Sequence, residues 1–351
     1  MVGLDIGTGS VKAVSLRRGR TGWSLAGAAE VPVPPPNEGD EPGTESMLVS
    51  ETVSQAFDVL KLKRARVAAA LSGHSVIVKR LSLPAMSQAE LGEAIPWEAE
   101  QYIPFDLADV QLDYQVVSRS DAKQANAEAA KGTLDVLLVA AKRDRIDDRS
   151  AVIVQAGRHP VVLDVEAFAL ANAYQMNYPE RADALVALLH VGRSMTLVVL
   201  LEGGEPVFTR DISIGGQAHL DALQRDLAGQ GVDDLTAKRI LHGQIPTGIA
   251  PEQVAAILRE ASAQVVLEVR KTIDFYRATA PVEQLSRVVL SGGAWQAVGL
   301  SELLAAEFGA TVDVFDPFRR VARPSRSIGS DATGPAYAVA VGLAMRQEGD
   351  R

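Results

Sequence analysis

The stretch that decides the fold is LDIGTGSVK, residues 4–12, close to the beginning of the chain. It follows a short apolar run, contains two glycines in a turn of small residues, and continues into a second apolar run. This pattern predicts a strand, a tight turn and a second strand. Two interpretations of the turn stay open on its sequence alone. It is either an ordinary glycine-rich hairpin or a nest of backbone N–H groups that binds an anion.

Two charged residues of this stretch suit an anion site that also holds a metal ion. Asp5 ends the first strand, and Lys12 lies in the second strand. A carboxylate would repel a bare phosphate, but it suits a hydrated Mg²⁺ that a phosphate shares. We therefore expect Asp5 to contact Mg²⁺ through water and Lys12 to contact phosphate. For Lys12 the alternative of a solvated strand lysine stays open.

Composition excludes several classes of function. The chain has 351 residues, 47% of them hydrophobic and 23% charged, which is typical of a globular protein with two or three domains. The net charge of −9 and the lack of a basic block argue against a nucleic-acid binder. Without cysteine there is no disulfide, thiolate zinc site or cysteine nucleophile. No leader-like segment or long apolar run is present, so we expect a cytoplasmic protein that reaches a membrane only through a partner.

The pattern of residues 4–31 is repeated at residues 188–210, as strand, glycine turn, strand, hairpin and strand. An offset of 185 residues aligns Gly192 with Gly7 and His190 with Asp5. A repeat this far apart suggests two equivalent domains, each opening with a hairpin whose turn can face the other. Two such nests at one cleft would hold an oligophosphate from both sides. A third glycine pair, at residues 292–293, follows a later strand and strengthens this interpretation.

These motifs together resemble the superfamily of ATPases that contains actin, the heat-shock chaperones and the sugar kinases. Residues 5–12 resemble its first phosphate loop, residues 190–196 its second, and residues 289–293 its adenosine motif. Its two connecting segments are matched by residues 163–171 and by residues 334–344, which resemble them. The small residues of 334–344 permit close packing. The resemblance implies an α/β fold of the actin-like ATPase class, with duplicated ribonuclease-H-like domains.

The resemblance narrows at a block inserted near residues 80–158, where FtsA-type proteins carry their 1C subdomain. Three segments resemble the PilM family, the cytoplasmic actin-like proteins of type IV pilus assembly. They are residues 96–105 and 136–142 within this block and residues 208–216 beyond it. Residues 118–132 are expected to form a hairpin loop of the block. The resemblance implies four subdomains, which we expect at residues 1–79, 159–182 and about 335–351 (1A), 80–158 (1C), 183–214 and 285–334 (2A), and 215–284 (2B).

The resemblance also implies ligands. ATP or ADP with Mg²⁺ would bind between the two halves. The N-terminal cytoplasmic tail of the inner-membrane protein PilN would bind in a groove near subdomains 1A and 1C, and other pilus platform and motor components are further expected partners. No nucleic acid and no direct membrane insertion are implied. The implied cofactor contacts lie in the glycine loops and in one helical pair: Gly7, Thr8, Gly9, Ser10, Val11, Lys12, Gly192, Arg193, Ser194, Met195, Thr196, Gly215, Gly216, Glu268, Lys271, Gly292 and Gly293.

Two residues bear on catalysis. Glu166 falls where chaperone-type members keep a glutamate that orients water, although a glutamate at a helix start is often there for the helix dipole. His190 stands where superfamily ATPases usually have aspartate. A neutral imidazole lacks the oxygen ligands that Mg²⁺ prefers, and phosphoryl transfer depends mostly on positioning and electrostatics. We therefore expect ATP binding with weak or absent hydrolysis. Arg193 either compensates by its charge or faces solvent.

Four residues at the end of a predicted helix, Trp97, Tyr102, Ile103 and Phe105, are the expected partner groove. Aromatic residues at helical spacing usually belong to a core. However, an apolar lip at a helix end also suits an extended peptide. A kink or a new helix start is expected at Pro96, because proline removes a backbone donor. Both interpretations of the aromatic residues stay open on the sequence.

The function that these observations favour is a nucleotide-dependent scaffold that binds PilN. An active ATPase or a sugar-kinase-like phosphotransferase is an alternative from another class, but no aspartate stands in a motif suited to a kinase base. An FtsA-like division filament protein is a further alternative. Such proteins normally carry a C-terminal amphipathic membrane helix, whereas residues 346–351 are short and charged.

Overall fold

The computed structural model describes residues 1–20, 22–35, 41, 43–63, 65–120, 132–179, 185–279, 284–323, 328–329 and 334–350. Strands and helices are interspersed along these residues. The strands are β1 (Val2–Ile6), β2 (Ser10–Gly19), β3 (Gly22–Pro32), β4 (Arg66–Leu71), β5 (Val76–Pro84), β6 (Val110–Ser120), β7 (Thr133–Lys142), β8 (His159–Val165), β9 (Leu185–Val191), β10 (Thr196–Glu202), β11 (Glu205–Ile212), β12 (Leu285–Ser291), β13 (Thr311–Val314), β14 (Val321–Ala322) and β15 (Ile328–Gly329). The helices are α1 (Thr44–Val59), α2 (Gln88–Glu100), α3 (Arg143–Gln155), α4 (Glu166–Asn177), α5 (Gln217–Asp226), α6 (Asp234–Leu241), α7 (Pro251–Thr279), α8 (Leu300–Phe308) and α9 (Ala338–Ala344).

Among the described residues, two of the three sheets share a five-stranded arrangement. The first sheet has the order β14-β3-β2-β1-β4-β8, with β15 also paired to β3, and the second has the order β11-β10-β9-β12-β13. In both, the strand before the glycine turn (β1 or β9) pairs antiparallel with the strand after the turn and parallel with the strand on its other side. The duplication predicted from the two glycine turns is therefore present in five strands of each sheet, and β14 and β15 are additions to the first.

The two turns also have the same register. Ile6 pairs with Val11 across the first hairpin, and Val191 pairs with Thr196 across the second. The N–H of Gly7 donates to the carbonyl of Ser10 at 3.2 Å, and the N–H of Gly192 donates to the carbonyl of Met195 at 2.8 Å. Residues 7–10, the first turn, and residues 192–195, the second turn, are thus equivalent. The strand–turn–strand prediction is confirmed for both.

The third sheet, β5-β7-β6, packs against α2 and forms a separate small core. Helix α2 starts where the side chain of Ser87 accepts from the N–H of Glu90 and the Glu90 side chain accepts from the N–H of Ser87. Of the two alternatives expected at Pro96, the new helix start is wrong, because this capping box fixes the start earlier and the helix continues to Glu100. The kink stays a prediction. The loop expected at residues 118–132 falls mostly on residues 121–131, which lie outside the described residues.

Helices α4 and α9 cross between the first and second sheets, in a core that contains residues of both. A Cβ on Gly342 would lie 1.8 Å from the carbonyl oxygen of Ala169, so the two backbones touch where the helices cross. A Cβ on Gly3 would likewise lie 2.1 Å from the carbonyl oxygen of Ala340. The close packing predicted from the small residues of the second connecting segment is confirmed. Within the described residues, no helix combines the length and apolarity needed to span a bilayer.

Candidate functional site

A nearly buried ion pair lies beneath the first turn. Asp5 and Lys12 are direct partners across the hairpin, and Lys12 Nζ lies 3.5 Å from Asp5 Oδ2. The two side chains are 10% and 8% exposed, respectively. Within the described residues, Asp5 Oδ2 accepts no hydrogen bond. A buried carboxylate oxygen without a donor is costly, so this atom is available to a water or a cation at the cleft.

The other residues of the first loop differ in whether their side chains are exposed or already in contact with the rest of the protein. Thr8 is exposed at the tip, whereas the Ser10 hydroxyl donates to Glu30 Oε1 at 2.8 Å. Val11 has no exposed surface and lies in the core, so only its backbone can serve a ligand. The main chain of this loop is therefore the part that is open to a bound anion.

Two glycine segments pack tightly against the second turn. The N–H of Gly216 donates to the carbonyl of Gly192 at 2.9 Å, and a Cβ on Gly215 would lie 2.6 Å from that same oxygen. Gly292, with a φ of 92°, follows β12, and a Cβ there would lie 2.3 Å from the carbonyl oxygen of Val191. Larger residues cannot occupy these positions without moving the backbone. The structure thus brings residues 192–196, 215–216 and 292–293, far apart in sequence, into one cluster.

The two turns contact each other directly. Thr8 Oγ1 and Ser194 Oγ lie 2.8 Å apart. A Cβ on Gly9 would lie 3.2 Å from Arg193 Cβ, so the glycine makes room for the arginine stem. The Arg193 guanidinium donates to Gln217 Oε1 at 3.0 Å, which holds it against the second half. The two equivalent turns therefore face each other across a narrow cleft.

Two further residues of the second loop have structural roles. Thr196 is fully buried, and its hydroxyl donates to the carbonyl of Ile214 at 2.7 Å. The methyl group of Met195 lies 3.0 Å from the position of a Cβ on Gly73, in the first half. The Thr196 side chain is thus engaged within the protein, and Met195 packs across the cleft.

His190 is buried behind the second turn and is held in one tautomer. Its Nδ1 lies 3.0 Å from Ser291 Oγ, and the Ser291 hydroxyl donates to the carbonyl of Leu189 at 3.3 Å. Since serine has one proton to donate, Nδ1 carries the proton of the imidazole and Nε2 is left as an acceptor. Burial lowers the pKa of His190 to about 4, against the charge of Asp5, with Lys12 adding to the decrease. The side chain is therefore neutral at pH 7.

Glu166 is the first residue of α4 and reaches the cleft from the first half. Burial raises its pKa to about 8, the negative charges of Asp5 and Asp211 add to this, and a hydrogen bond with Ser72 opposes it. The carboxyl group is therefore mostly protonated at pH 7. A protonated carboxyl cannot accept a proton from water, so it is not suited to be a general base in this state.

A contact near Glu166 joins the two halves. The N–H of Gly73, in the loop after β4, donates to Asp211 Oδ2 on β11 at 3.0 Å. Gly73 has a φ of 67°, a left-handed conformation that glycine adopts without strain. Neither residue was singled out from the sequence, because the contact depends on how the two sheets are placed.

Arg149 is a cationic residue of the site that no motif indicated. It lies on α3, and its Nη1 donates to the carbonyl of Ile6, the last residue before the first turn, at 3.3 Å. Burial lowers its pKa from the ordinary value, while the negative charges of Asp5 and Glu166 raise it. In the sequence it stands in a polar helical segment with other arginines, and nothing local separates it from them.

The predicted helical pair, Glu268 and Lys271, lies on α7. Lys271 Nζ lies 2.6 Å from Glu268 Oε1, and the side chains are 57% and 38% exposed, respectively. The two residues therefore neutralise each other on an exposed helix face. Their assignment to ribose and adenine depends on the sequence resemblance and stays a prediction.

The residues of the predicted partner groove separate into surface and core. Trp97, Tyr102 and Phe105 are 72%, 41% and 37% exposed, respectively, whereas Ile103 is buried in the small core. Lys79 Nζ lies 5.0 Å from the centre of the Tyr102 ring, and Lys142 Nζ lies 3.8 Å from the centre of the Phe105 ring. Three aromatic side chains in and just after α2, the aromatic patch, are thus accessible, and lysines lie against two of them.

The site has few protein ligands for a metal. Among the described residues, no group of three or more His, Cys, Asp or Glu side chains could hold one. Mg²⁺, however, usually keeps several waters and binds through one or two carboxylates together with substrate phosphates. Asp5, with its buried oxygen that accepts no hydrogen bond from the described residues, fits that pattern.

Similarity to known proteins extends over nearly the whole chain. The family described as type IV pilus assembly protein PilM matches residues 3–348. A chain of the solved PilM-PilN type IV pilus biogenesis complex is 27% identical, with 98% of this chain and 97% of that chain covered and a TM-score of 0.78. The ethanolamine utilization protein EutJ from Carboxydothermus hydrogenoformans is 16% identical, with 98% and 88% covered and a TM-score of 0.52, which is a likeness of fold.

Proposed function

Because the chain belongs to the family of type IV pilus assembly protein PilM, with the actin-like fold, we propose that it is a nucleotide-binding scaffold of the pilus assembly platform. In this role it binds the N-terminal cytoplasmic segment of PilN and is held at the bacterial inner membrane by that contact. The solved PilM-PilN complex supports the choice of partner. The division into subdomains 1A, 1C, 2A and 2B is part of the same proposal.

The observation that carries nucleotide binding is the contact between the two equivalent turns. Thr8 and Ser194 meet at the tips, and the Asp5–Lys12 pair lies beneath them. Lys12 supplies a positive charge to phosphate, and Asp5 Oδ2, which accepts no hydrogen bond from the described residues, accepts one from a water on Mg²⁺. The ligand, ATP or ADP with Mg²⁺, supplies an oligophosphate and a hard cation between the two halves. We place the nucleoside next to the tightly packed glycine cluster around Gly292.

Weak or absent hydrolysis is part of this proposal. His190 is neutral at pH 7, and Glu166 is mostly protonated. Neither group provides the carboxylate that would orient water or a metal-bound water, so the positioning that phosphoryl transfer needs is incomplete. The chain's own residues are better arranged to hold a nucleotide than to activate water.

Nucleotide binding is tested by calorimetry with Mg·ADP and Mg·ATP, and by analysis of nucleotide that co-purifies. Lys12→Ala should lower the affinity at least about tenfold, since it removes the buried cation. Lys238→Ala is the matched control, because Lys238 is exposed and pairs with Asp234 on α6. Absence of binding by the wild-type protein would refute the nucleotide part of the proposal.

Binding of PilN is tested separately with a peptide of its N-terminal cytoplasmic segment. Trp97→Ala and Tyr102→Ala should each weaken binding, because both rings are exposed on the same patch. Phe275→Ala, at an aromatic residue of α7 that is 54% exposed, is the control. Melting temperatures separate the two roles of the aromatic residues. A parallel loss of fold and binding would assign them to the core, and unchanged binding would place the groove elsewhere.

A further inference from the structure

Helix α3 contacts both the aromatic patch and the first turn. At its start, Lys142 lies against the Phe105 ring, with Nζ 3.8 Å from the ring centre. The next residue, Arg143, donates to Gln111 Oε1 at 2.8 Å and to the carbonyl of Ala108 at 3.2 Å. The beginning of α3 is therefore fixed to the three-stranded sheet, beside an exposed aromatic residue of the patch.

The middle of α3 reaches the phosphate side of the cleft. Arg149 donates to the carbonyl of Ile6, where β1 ends and the first turn follows. The negative charge of Asp5 acts on its guanidinium. Arg149 thus balances the Asp5 carboxylate in the region where the proposed function places phosphate and Mg²⁺.

The end of α3 is anchored in the core below the first sheet. Ile153 is fully buried there with Phe57, and the Ser50 hydroxyl on α1 donates to the carbonyl of Val152 at 3.1 Å. Lys142 and Arg149 are separated by about 10 Å along the helix axis, at about 1.5 Å per residue. A continuous helix of this length transmits a small displacement at one end to the other.

We propose that Arg149 is a positioning residue through which the bound nucleotide changes the affinity of the aromatic patch for the PilN segment. This inference rests on the proposed function. A polyphosphate in the cleft offers the Arg149 guanidinium several oxygen atoms, so it can accept two parallel hydrogen bonds from it. The single carbonyl oxygen of Ile6 cannot form such a bidentate contact. Competition for Arg149 between phosphate and the Ile6 carbonyl would shift α3, and with it Lys142 and Phe105.

The competing interpretation is that Arg149 only stabilises the first half, by holding the Ile6 carbonyl and neutralising Asp5. In that case its replacement would lower stability and change nucleotide affinity. It would not change the ratio of PilN affinities with and without nucleotide. That ratio therefore separates a coupling role from a structural one, because coupling is a difference between two binding free energies.

The experiment measures the Kd of the PilN N-terminal peptide without nucleotide, with Mg·ADP and with a non-hydrolysable Mg·ATP analogue. We expect the wild-type affinity to differ about tenfold between nucleotide-free and nucleotide-bound protein. Arg149→Gln should bring this ratio close to one, and Arg149→Lys should leave an intermediate ratio. Arg145→Ala is the matched control, since Arg145 is exposed on the same helix and pairs with Asp148. It should keep the wild-type ratio.

An unchanged ratio in Arg149→Gln would overturn the inference. A wild-type protein that binds both ligands without any coupling would overturn it too, while leaving the proposed function intact. Failure of the wild-type protein to bind nucleotide at all would refute the inference together with the nucleotide part of the proposed function.

Hydrogen exchange of the wild-type protein provides a test that needs no variant. Nucleotide should slow exchange in residues 143–155 and 102–110, as well as in the two turns. Protection confined to the turns would contradict the coupling role.

Discussion

Thr8 and Ser194 join the tips of the two glycine turns through a hydroxyl–hydroxyl contact of 2.8 Å. An oligophosphate that enters between the turns meets these two groups first and can accept from both. Thr8→Ala and Ser194→Ala should therefore each weaken nucleotide binding, by about 1 kcal/mol for a lost hydrogen bond. Calorimetry on both single variants and the double variant gives the coupling energy between them. Unchanged affinity in all three would show that these two hydroxyl groups do not contact the phosphates.

Restoring a carboxylate at the second turn should increase hydrolysis. His190→Asp places an acceptor of charge −1 near Asp5, so it adds a second anionic partner for a hydrated Mg²⁺. We expect its single-turnover rate to exceed the wild-type rate at least about tenfold, a gain of roughly 1.4 kcal/mol in transition-state stabilisation. The buried charge should also lower the melting temperature in the absence of nucleotide.

His190→Asn is the matched control for this experiment, because it supplies an oxygen without the charge. A rate for His190→Asp no higher than that of His190→Asn would show that charge at this position does not limit turnover. A wild-type rate typical of kinases would contradict the proposal of weak hydrolysis directly.

The pKa of Glu166 predicts a dependence of stability on pH. In the folded protein it is raised to about 8 from an ordinary 4.5. Between these values the folded state holds a proton that the unfolded state has lost, so this contribution to stability decreases as pH rises through about 8. Glu166→Gln cannot ionise. We expect it to be more stable than wild type at about pH 9, and the difference to shrink or reverse at about pH 5, a change of about 4 kcal/mol.

The measurement is thermal or urea unfolding of both proteins across this range without nucleotide. The pKa of His190 is lowered to about 4, so its contribution to stability increases as pH rises from about 4 to 6.5. His190 is present in both proteins, and its contribution therefore cancels in the difference between them. A difference that does not vary with pH would mean that Glu166 is ionised in the folded state.

The crossing of α4 and α9 should be intolerant of even one methyl group. In Gly342→Ala the new Cβ would meet the backbone of Ala169 at 1.8 Å, so the helices must separate. We expect a loss of about 3 kcal/mol or more in unfolding free energy. Gly229→Ala, where no atom lies within 4 Å of the new Cβ, should change stability by less than about 0.5 kcal/mol. Denaturant unfolding of the two variants measures both changes in unfolding free energy. Equal stabilities would show that the helix crossing can relax.

The sequence predicted the parts of the site whose pattern is local and repeated. Both hairpins could be recognised, because a strand–glycine–strand pattern is written within a few residues and occurs twice. Arg149, the contact of Ser291 with His190 and the Gly73–Asp211 contact were missed, because each depends on how distant elements pack. The aromatic residues show a related limit. Helical spacing places Trp97 and Ile103 on a helix end, but only the packing of the small sheet decides that one is exposed and the other is buried.

The contact between Gly73 and Asp211 gives the duplicated cleft a polarity. Gly73 follows β4 and Gly292 follows β12, the equivalent strand of the other sheet, and both have positive φ. At Gly73 the backbone N–H is bound by a carboxylate, whereas at Gly292 it is bound by the neutral carbonyl of Pro335. Negative charge is therefore disfavoured at one end of an otherwise pseudo-symmetric groove. We expect this difference to set the direction in which a nucleotide lies before any contact to its base is made.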